Sequence, residues 1–123
     1  MVDAMAQHIA KALVTSANLK QQIRTACHPD DPQLLKRYIN LALDSANTAG
    51  ASSEKIRILL DCAALLLETA CDQKVVLSWR YQCLDQIYRP LLAAEKQSIT
   101  AGDHHRVRQF SHLFTHLTPT FFN

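Results

Sequence analysis

Residues 56–71 read IRILLDCAALLLETAC, and this stretch decides the fold class. In a helix built on it, apolar side chains take most of the circumference, and the polar side chains form one narrow stripe. That stripe consists of Arg57, Asp61, Glu68 and Asp72. A helix that is apolar on most sides is normally surrounded by other helices. We therefore predict an all-α bundle in which this third helix is central and mostly buried.

The clearest break in the helical pattern precedes this helix, at residues 28–32, which read HPDDP. Proline lacks an amide donor and disfavours the helical conformation in the residue before it. Asp31 and Pro32 are therefore expected at the N-cap and the first position of a second helix. That helix is expected to end near Ala49, with Gly50 in a left-handed conformation after it.

The start of the first helix is set by a weaker pattern. Apolar residues recur at near-helical spacing from about Asp3, a suitable N-cap, to Cys27. One long helix and two short ones both fit this segment. Further along, Ser52 or Ser53 is expected to cap the third helix, because a hydroxyl accepts hydrogen bonds from the first amides of a helix.

Two helices are predicted after the central one. The fourth covers about residues 74–97 and contains Pro90, which predicts a kink or a break in the turn before it. Gly102 is expected to end the fourth helix, and Asp103 is expected to cap a fifth that reaches about Leu117. The tail that follows is expected to be too short for another element. The count is therefore about five helices.

The composition is that of one globular domain, residues 1–123. Apolar residues make up 48% and charged residues 20% of the chain, which excludes a disordered composition. Only two glycines occur, whereas a sheet protein needs glycine at many tight turns. We find no signal-peptide pattern, and the most apolar run is too short to span a bilayer. We therefore expect a soluble, cytoplasmic protein that does not engage a membrane.

The four cysteines, Cys27, Cys62, Cys71 and Cys83, lie among apolar residues and form no C-x-x-C pair. A chain of this size does not need disulfides to fold, and these spacings match no common zinc motif. We therefore predict reduced thiols packed in the core.

The apolar surface exceeds what five short helices need, and such a surplus indicates a bound partner. The candidate contacts are Leu59, Leu66 and Leu67 of the third helix, together with Phe121 and Phe122 of the tail. A well-filled core with the tail folded over it explains the same pattern, and so does a two-fold homodimer. The leading interpretation is a small non-enzymatic adaptor, chaperone or regulator that binds another protein.

The fifth predicted helix carries His105, His112 and His116 on one face. A His-x-x-x-His pair can chelate a transition metal, because residues four apart are neighbours on a helix. However, no acidic residue lies between positions 104 and 123 to complete a ligand set. The pattern favours a solvated polar face, and we predict neither a metal nor another cofactor.

The C-terminal part of the chain is mildly basic, since residues 74–123 hold six Lys/Arg against three Asp/Glu. A DNA- or RNA-binding regulator is therefore the second interpretation, with Arg106, Arg108 and Gln109 as contacts in a helix-turn-helix arrangement. The net charge of +2 is low for such a protein. The separation of Arg106 and His112 also resembles that of a class of small helical ribonucleases, which is the third interpretation.

Other enzyme classes lack their motifs. The chain has no glycine-rich phosphate loop, no G-x-S-x-G, no H-E-x-x-H and no dinucleotide-binding fingerprint. Asp61 and Glu68 are spaced to act as paired carboxylates, but Arg57 precedes Asp61 by four residues and favours a plain ion pair. We therefore predict no catalytic residue and expect that the protein is not an enzyme.

Overall fold

The computed structural model describes residues 17–122, and all regular secondary structure in that range is helical. The expected cap at Asp3 and the start of the first predicted helix lie outside the described residues. Among the described helices, none combines the length and apolar character needed to cross a membrane. The helices are α1 (residues 17–25 of the described chain), α2 (Pro32–Thr48), α3 (Ser52–Ala70), α4 (Leu77–Gln86), α5 (Tyr88–Gln97) and α6 (Ala101–Phe122).

Helix α3 is the centre of the bundle, as predicted, and it packs against α2, α4, α5 and α6. Its polar stripe faces solvent, where Arg57 pairs with Asp61 at 3.2 Å and also with Glu54. The predicted ion pair is therefore confirmed. The side chains that α3 buries are Ile56, Leu59, Cys62, Ala63, Leu66, Leu67, Thr69 and Ala70.

The start of α2 agrees with the sequence pattern, and its end does not. The Asp31 carboxylate accepts a hydrogen bond from the Gln33 amide at 3.0 Å, which confirms the N-cap. At the other end, Ala49 leaves the helix in an extended conformation with φ −69° and ψ 142°. Gly50 has no positive φ, so its predicted left-handed role was wrong. An extended exit is open to any residue and requires no glycine.

The junction before α6 is built differently from the prediction. The Asp103 amide donates to the Thr100 hydroxyl at 3.1 Å, and the Thr100 amide donates to the Asp103 carboxylate at 3.2 Å. This reciprocal pair is a capping box, so Thr100 rather than Asp103 is the cap. Gly102 lies inside the first turn of α6, and Ser98 ends α5. Ser52 does not cap α3, because its hydroxyl donates to Asp103 at 2.8 Å.

The predicted fourth helix is divided into α4 and α5, as the proline indicated. Pro90 has no amide, so the Gln86 carbonyl loses its usual helical hydrogen bond. At the junction, the Ile87 amide donates to the Leu84 carbonyl, three residues back. Ile87 keeps helical angles, φ −59° and ψ −33°. Residues 77–97 are therefore one kinked rod, which we call the α4–α5 arm.

Helix α6 extends to Phe122, well beyond the expected end near Leu117, so the tail is not an irregular segment. Its last turn is held by Arg80 of α4. That guanidinium donates to the Phe121 carbonyl at 3.2 Å and lies 5.1 Å from the centre of the Phe122 ring. Phe122 also packs on Tyr81, with ring centres 5.1 Å apart. The C-terminal carbonyls of α6 are thus stabilised by a buried cation.

The four cysteines divide by environment. Burial raises the pKa of the Cys62 and Cys83 thiols to about 12, so both stay protonated at neutral pH. Cys71 is half-buried, and all four residues are thiols. Cys27 is exposed, which corrects its predicted place in the core, because it follows α1 in a surface loop.

Helix α1 ends in a double hydrogen bond that closes its last turn. The Cys27 amide donates to the Gln22 carbonyl at 3.3 Å, and the Ala26 amide donates to the Ile23 carbonyl at 3.2 Å. This is a Schellman motif, which places Ala26 in the left-handed region with φ 50°. An alanine there is strained, because its Cβ crowds the following carbonyl.

Replacing Ala26 with glycine is therefore expected to stabilise the fold. Relief of the left-handed strain outweighs the extra chain entropy of glycine, and we expect the free energy of unfolding to rise by about 0.5–1 kcal/mol. Urea denaturation followed by circular dichroism measures the change. Ala49→Gly is the matched control, because Ala49 ends α2 with a negative φ and glycine there should destabilise. A similar effect of both substitutions would contradict the strain argument.

Candidate functional site

The predicted partner surface on α3 is not at the surface of the chain. Leu59, Leu66 and Leu67 are at most 4% exposed. They are covered by the other helices that surround α3 in the same chain, so their placement in a partner surface is corrected to the core. A homodimer through these leucines, one of the alternatives that the sequence left open, would need side chains that are buried within one chain. Phe121 and Phe122 are half-buried, with Phe122 packed on α4.

Exposed apolar side chains lie instead along the α4–α5 arm. Four of them, Leu77, Tyr81, Tyr88 and Leu92, are between 45% and 57% exposed. At 100° per residue these positions fall within about 60° of one another, and the helical angles of Ile87 preserve that register across the kink. They form one row, which we call the arm stripe, and the exposed carboxylate of Asp85 lies beside it between Tyr81 and Tyr88.

The arm stripe is exposed because the opposite side of the arm fills the core. Trp79, Cys83, Ile87, Pro90 and Ala94 are all buried. A helix apolar on two sides can bury only one of them against its own chain. The second side, lined by two leucines and two tyrosines, is the kind of surface on which partners dock.

An open cleft of about 510 Å³ lies between the C-terminal end of α5 and the first half of α6. Its α5 wall carries Glu95, which follows Leu92 by three residues and Tyr88 by seven and so shares their side of the helix. The α6 wall carries His104, Arg108 and Ser111. Val107 and Ala101 supply apolar lining. The cleft therefore has one acidic side chain on α5 facing one arginine and one histidine on α6.

A row of histidine and arginine side chains runs along the outer side of α6. His104, Arg108, His112 and His116 follow one another at intervals of four residues, and all are exposed. After Asp103 the helix contains no acidic residue. Asp103 itself is buried in the capping contacts, so its charge is not presented on this side. This side of α6 therefore presents one formal positive charge, that of Arg108, among exposed histidines.

The predicted histidine face exists, since His105, His112 and His116 are all exposed on α6. In the part of the chain that the structure describes, no three potential metal-binding side chains come together. The histidine pair spaced by four residues, His112 and His116, is presented to solvent, and no third ligand lies beside it among residues 17–122.

The residues proposed for nucleic-acid contact are not all on one face. Arg108 and Gln109 are exposed, whereas Arg106 is half-buried and donates to the Ser53 carbonyl at the start of α3, at 3.3 Å. Six residues separate Arg106 from His112, which places them about 120° apart around the helix. The Arg106 guanidinium is engaged with the Ser53 carbonyl, whereas the His112 side chain is exposed to solvent.

Sequence reasoning missed the arm stripe as a site, because it assigned the apolar surplus to the third helix and the tail. The sequence of the arm contains two rows of apolar residues at helical spacing. In the structure, one row is buried in the core and the other is exposed to solvent. Which row faces the core depends on how the helices pack, and the sequence pattern alone does not specify it. The chain matches no protein-family model, and comparisons with curated proteins and with solved structures find no similar protein.

Proposed function

We propose that this chain is a non-enzymatic adaptor or chaperone that binds an amphipathic helix of another protein along the arm stripe. The observation that carries the proposal is the row of four large apolar side chains, about half-exposed, on one side of a helix. Burial of apolar area contributes about 25 cal/mol per Å² to association before the costs of ordering. Tyrosines in such a row add aromatic contacts of the kind enriched at interfaces.

The dimensions of the surface favour a helical occupant. Leu77 and Leu92 are 15 residues apart, so the arm stripe is about 22 Å long at 1.5 Å per residue. A partner helix of about four turns would cover it. Helix α6 packs against α5, so a helix docked on the arm would lie next to α6, as in helix-in-groove recognition.

Nucleic-acid binding is the second candidate, and the acid-free outer side of α6 favours it. Arg108 and the exposed histidines of α6 would contact the phosphate backbone. Binding of that kind weakens steeply as salt concentration rises, because counterions are released from the phosphates. Association with the arm stripe through apolar contacts would depend on salt far less.

The adaptor proposal is tested by removing apolar area from the arm stripe. The probe is a synthetic 18-residue helical peptide with leucine on one face, labelled for fluorescence anisotropy. Leu92→Ser is expected to weaken its binding about tenfold, because the loss of half a buried leucine corresponds to about 1.4 kcal/mol. Tyr88→Ser should act in the same direction.

The control is Leu113→Ser on α6. Leu113 is 48% exposed, close to the exposure of Leu92, but the helical period places it about 180° around α6 from His104, which lines the cleft with α5. This substitution should leave the affinity unchanged, and circular dichroism should show that all variants keep their helical content. Equal loss of binding in Leu92→Ser and Leu113→Ser, or no loss in either, would contradict the proposal.

A further inference from the structure

We propose that the last turn of α6, residues 118–122, is a latch whose opening uncovers the Arg80 guanidinium of α4. In the structure the latch is closed. The Phe121 carbonyl accepts a hydrogen bond from the Arg80 guanidinium at 3.2 Å. The Phe122 ring lies against that guanidinium and against the ring of Tyr81. The latch thus covers one cation and part of one aromatic ring.

Pro119 supplies a hinge between the latch and the body of α6. Proline has no amide, so the Thr115 carbonyl lacks its usual helical hydrogen bond, and the proline ring crowds that carbonyl. The Thr118 hydroxyl donates to the Phe114 carbonyl at 2.7 Å, and hydroxyl bonds of this kind bend helices. The weakest turn of α6 therefore comes just before the aromatic residues that hold the latch closed.

The second half of α6 is also attached to the core less firmly than the first. The buried residues of the helix are Asp103, Val107 and Phe110. Beyond Phe110, every described residue of α6 is half-buried or exposed. A region with few buried apolar contacts opens locally at a lower free energy than the whole fold. The latch can therefore open while the rest of the bundle stays folded.

Arg80 has no ion pair that opening would break. Its side chain is 7% exposed, yet among residues 17–122 no carboxylate lies within ion-pair distance of it. The Arg80 Nε donates to the Ala70 carbonyl at 2.8 Å, and this bond does not involve the latch. When the latch opens, the guanidinium exchanges the Phe121 carbonyl and the Phe122 ring for water, which solvates a cation well. The open state therefore keeps Arg80 oriented and exposes its charge.

The closed latch also restricts the arm stripe. Phe122 covers part of the ring of Tyr81, which is one of the four stripe residues and remains 45% exposed. Opening frees that side of the ring and adds an exposed cation beside the row. The latch is thus an autoinhibitory contact for a helix docked along the arm. This consequence rests on the proposed function, whereas the opening itself does not.

The opening is tested by labelling arginines with phenylglyoxal and measuring each modified position by mass spectrometry. Phe122→Ser should speed the modification of Arg80 about fivefold, because it removes the ring that covers the guanidinium. Pro119→Ala should slow it about tenfold, because it restores the missing helical hydrogen bond. Hydrogen exchange of the buried Trp79 indole, followed by NMR, reports global unfolding in the same samples.

Leu113→Ser is the matched control, because Leu113 is 48% exposed on the same helix and precedes the hinge. It should leave the labelling rate of Arg80 unchanged. Modification of Arg80 that follows the exchange of Trp79 in every variant would overturn the latch, since opening would then be global unfolding. A rate that responds to neither Phe122→Ser nor Pro119→Ala would overturn it as well.

Binding of the leucine-faced peptide tests the autoinhibitory role separately. Phe122→Ser should tighten that binding several-fold and Pro119→Ala should weaken it, because the two substitutions change the open population in opposite directions. Unchanged affinity in both variants, with the labelling of Arg80 altered as expected, would overturn the autoinhibitory role. A wild-type protein that does not bind the peptide at all would overturn the proposed function, and the labelling experiment would still decide whether the latch opens.

Discussion

Replacing Trp79 with alanine is expected to lower the free energy of unfolding by about 3–5 kcal/mol. Trp79 is the only tryptophan in the chain and is 0% exposed. Its indole Nε1 donates to the Ile23 carbonyl of α1 at 2.9 Å. The substitution therefore leaves a large cavity between α4 and α1 and also removes a buried hydrogen bond between them.

Trp79→Phe separates these two contributions, because it keeps most of the ring volume and removes the donor. The Ile23 carbonyl still accepts a hydrogen bond from the Ala26 amide, so it is not left without a partner. We expect a smaller loss, about 1–2 kcal/mol. Chemical denaturation followed by circular dichroism measures both variants. A loss below about 1 kcal/mol in Trp79→Ala would show that this side chain is not part of the core.

The centre of the fold was predictable because its signal is local. Residues 56–71 are apolar on nearly every side, and no arrangement of partners can leave such a helix at the surface. The division of the arm was predictable for the same reason, since Pro90 removes a hydrogen bond from its own preceding turn. Both features require no knowledge of distant contacts.

The ends of the helices were harder to predict, because distant contacts decide several of them. The tail extends α6 since Arg80, 41 residues earlier in the chain, binds the Phe121 carbonyl. Ser52 is a typical helix cap by residue type, but its hydroxyl donates a hydrogen bond to the Asp103 carboxylate. Ala26 adopts the left-handed backbone conformation, whereas neither Gly50 nor Gly102 has a positive φ. Residue preference alone therefore gave the wrong cap at these places.

The candidate site was mislocated for a related reason. Leu66 and Tyr88 both belong to apolar rows at helical spacing, yet one is fully buried and the other more than half-exposed. Only the packing of four helices around α3 distinguishes them. The sequence indicated that an apolar surplus exists. Four of the seven large apolar side chains that are exposed in the described structure lie on the arm.

Asp103 is expected to make the stability of the fold depend on acid. Its side chain is 3% exposed and accepts hydrogen bonds from the Ser52 hydroxyl and from the Ile99 and Thr100 amides. The bond from Ser52, followed by those from the two amides, lowers the pKa of the Asp103 carboxyl to about 2. The folded state therefore prefers the ionised carboxylate more strongly than the unfolded chain does.

The sign of the effect follows from that difference. An aspartate with a depressed pKa in the folded state stabilises the fold above the pKa of the unfolded chain, about 3.9. The contribution is lost as the pH falls from about 4 towards 2, because protonation removes the acceptor that holds Ser52 and the start of α6. Above pH 5 the contribution is complete and should not vary with pH.

Asp103→Asn is the variant that isolates this contribution. At pH 7 its Tm is expected to lie about 5–10 °C below that of the wild type, because three hydrogen bonds lose their charged acceptor. The difference in Tm between the two proteins should narrow between pH 4 and pH 2 as the wild-type carboxylate takes up its proton.

Asp61→Asn is the control, since that carboxylate makes only an exposed ion pair with Arg57 and should change Tm little. Thermal melts by circular dichroism at several pH values give all three curves. The Asp72 carboxyl, whose pKa is also lowered, is present in each protein and cancels in the difference. A gap between wild type and Asp103→Asn that stays constant from pH 7 to pH 2 would show that the ionised carboxylate does not hold this junction.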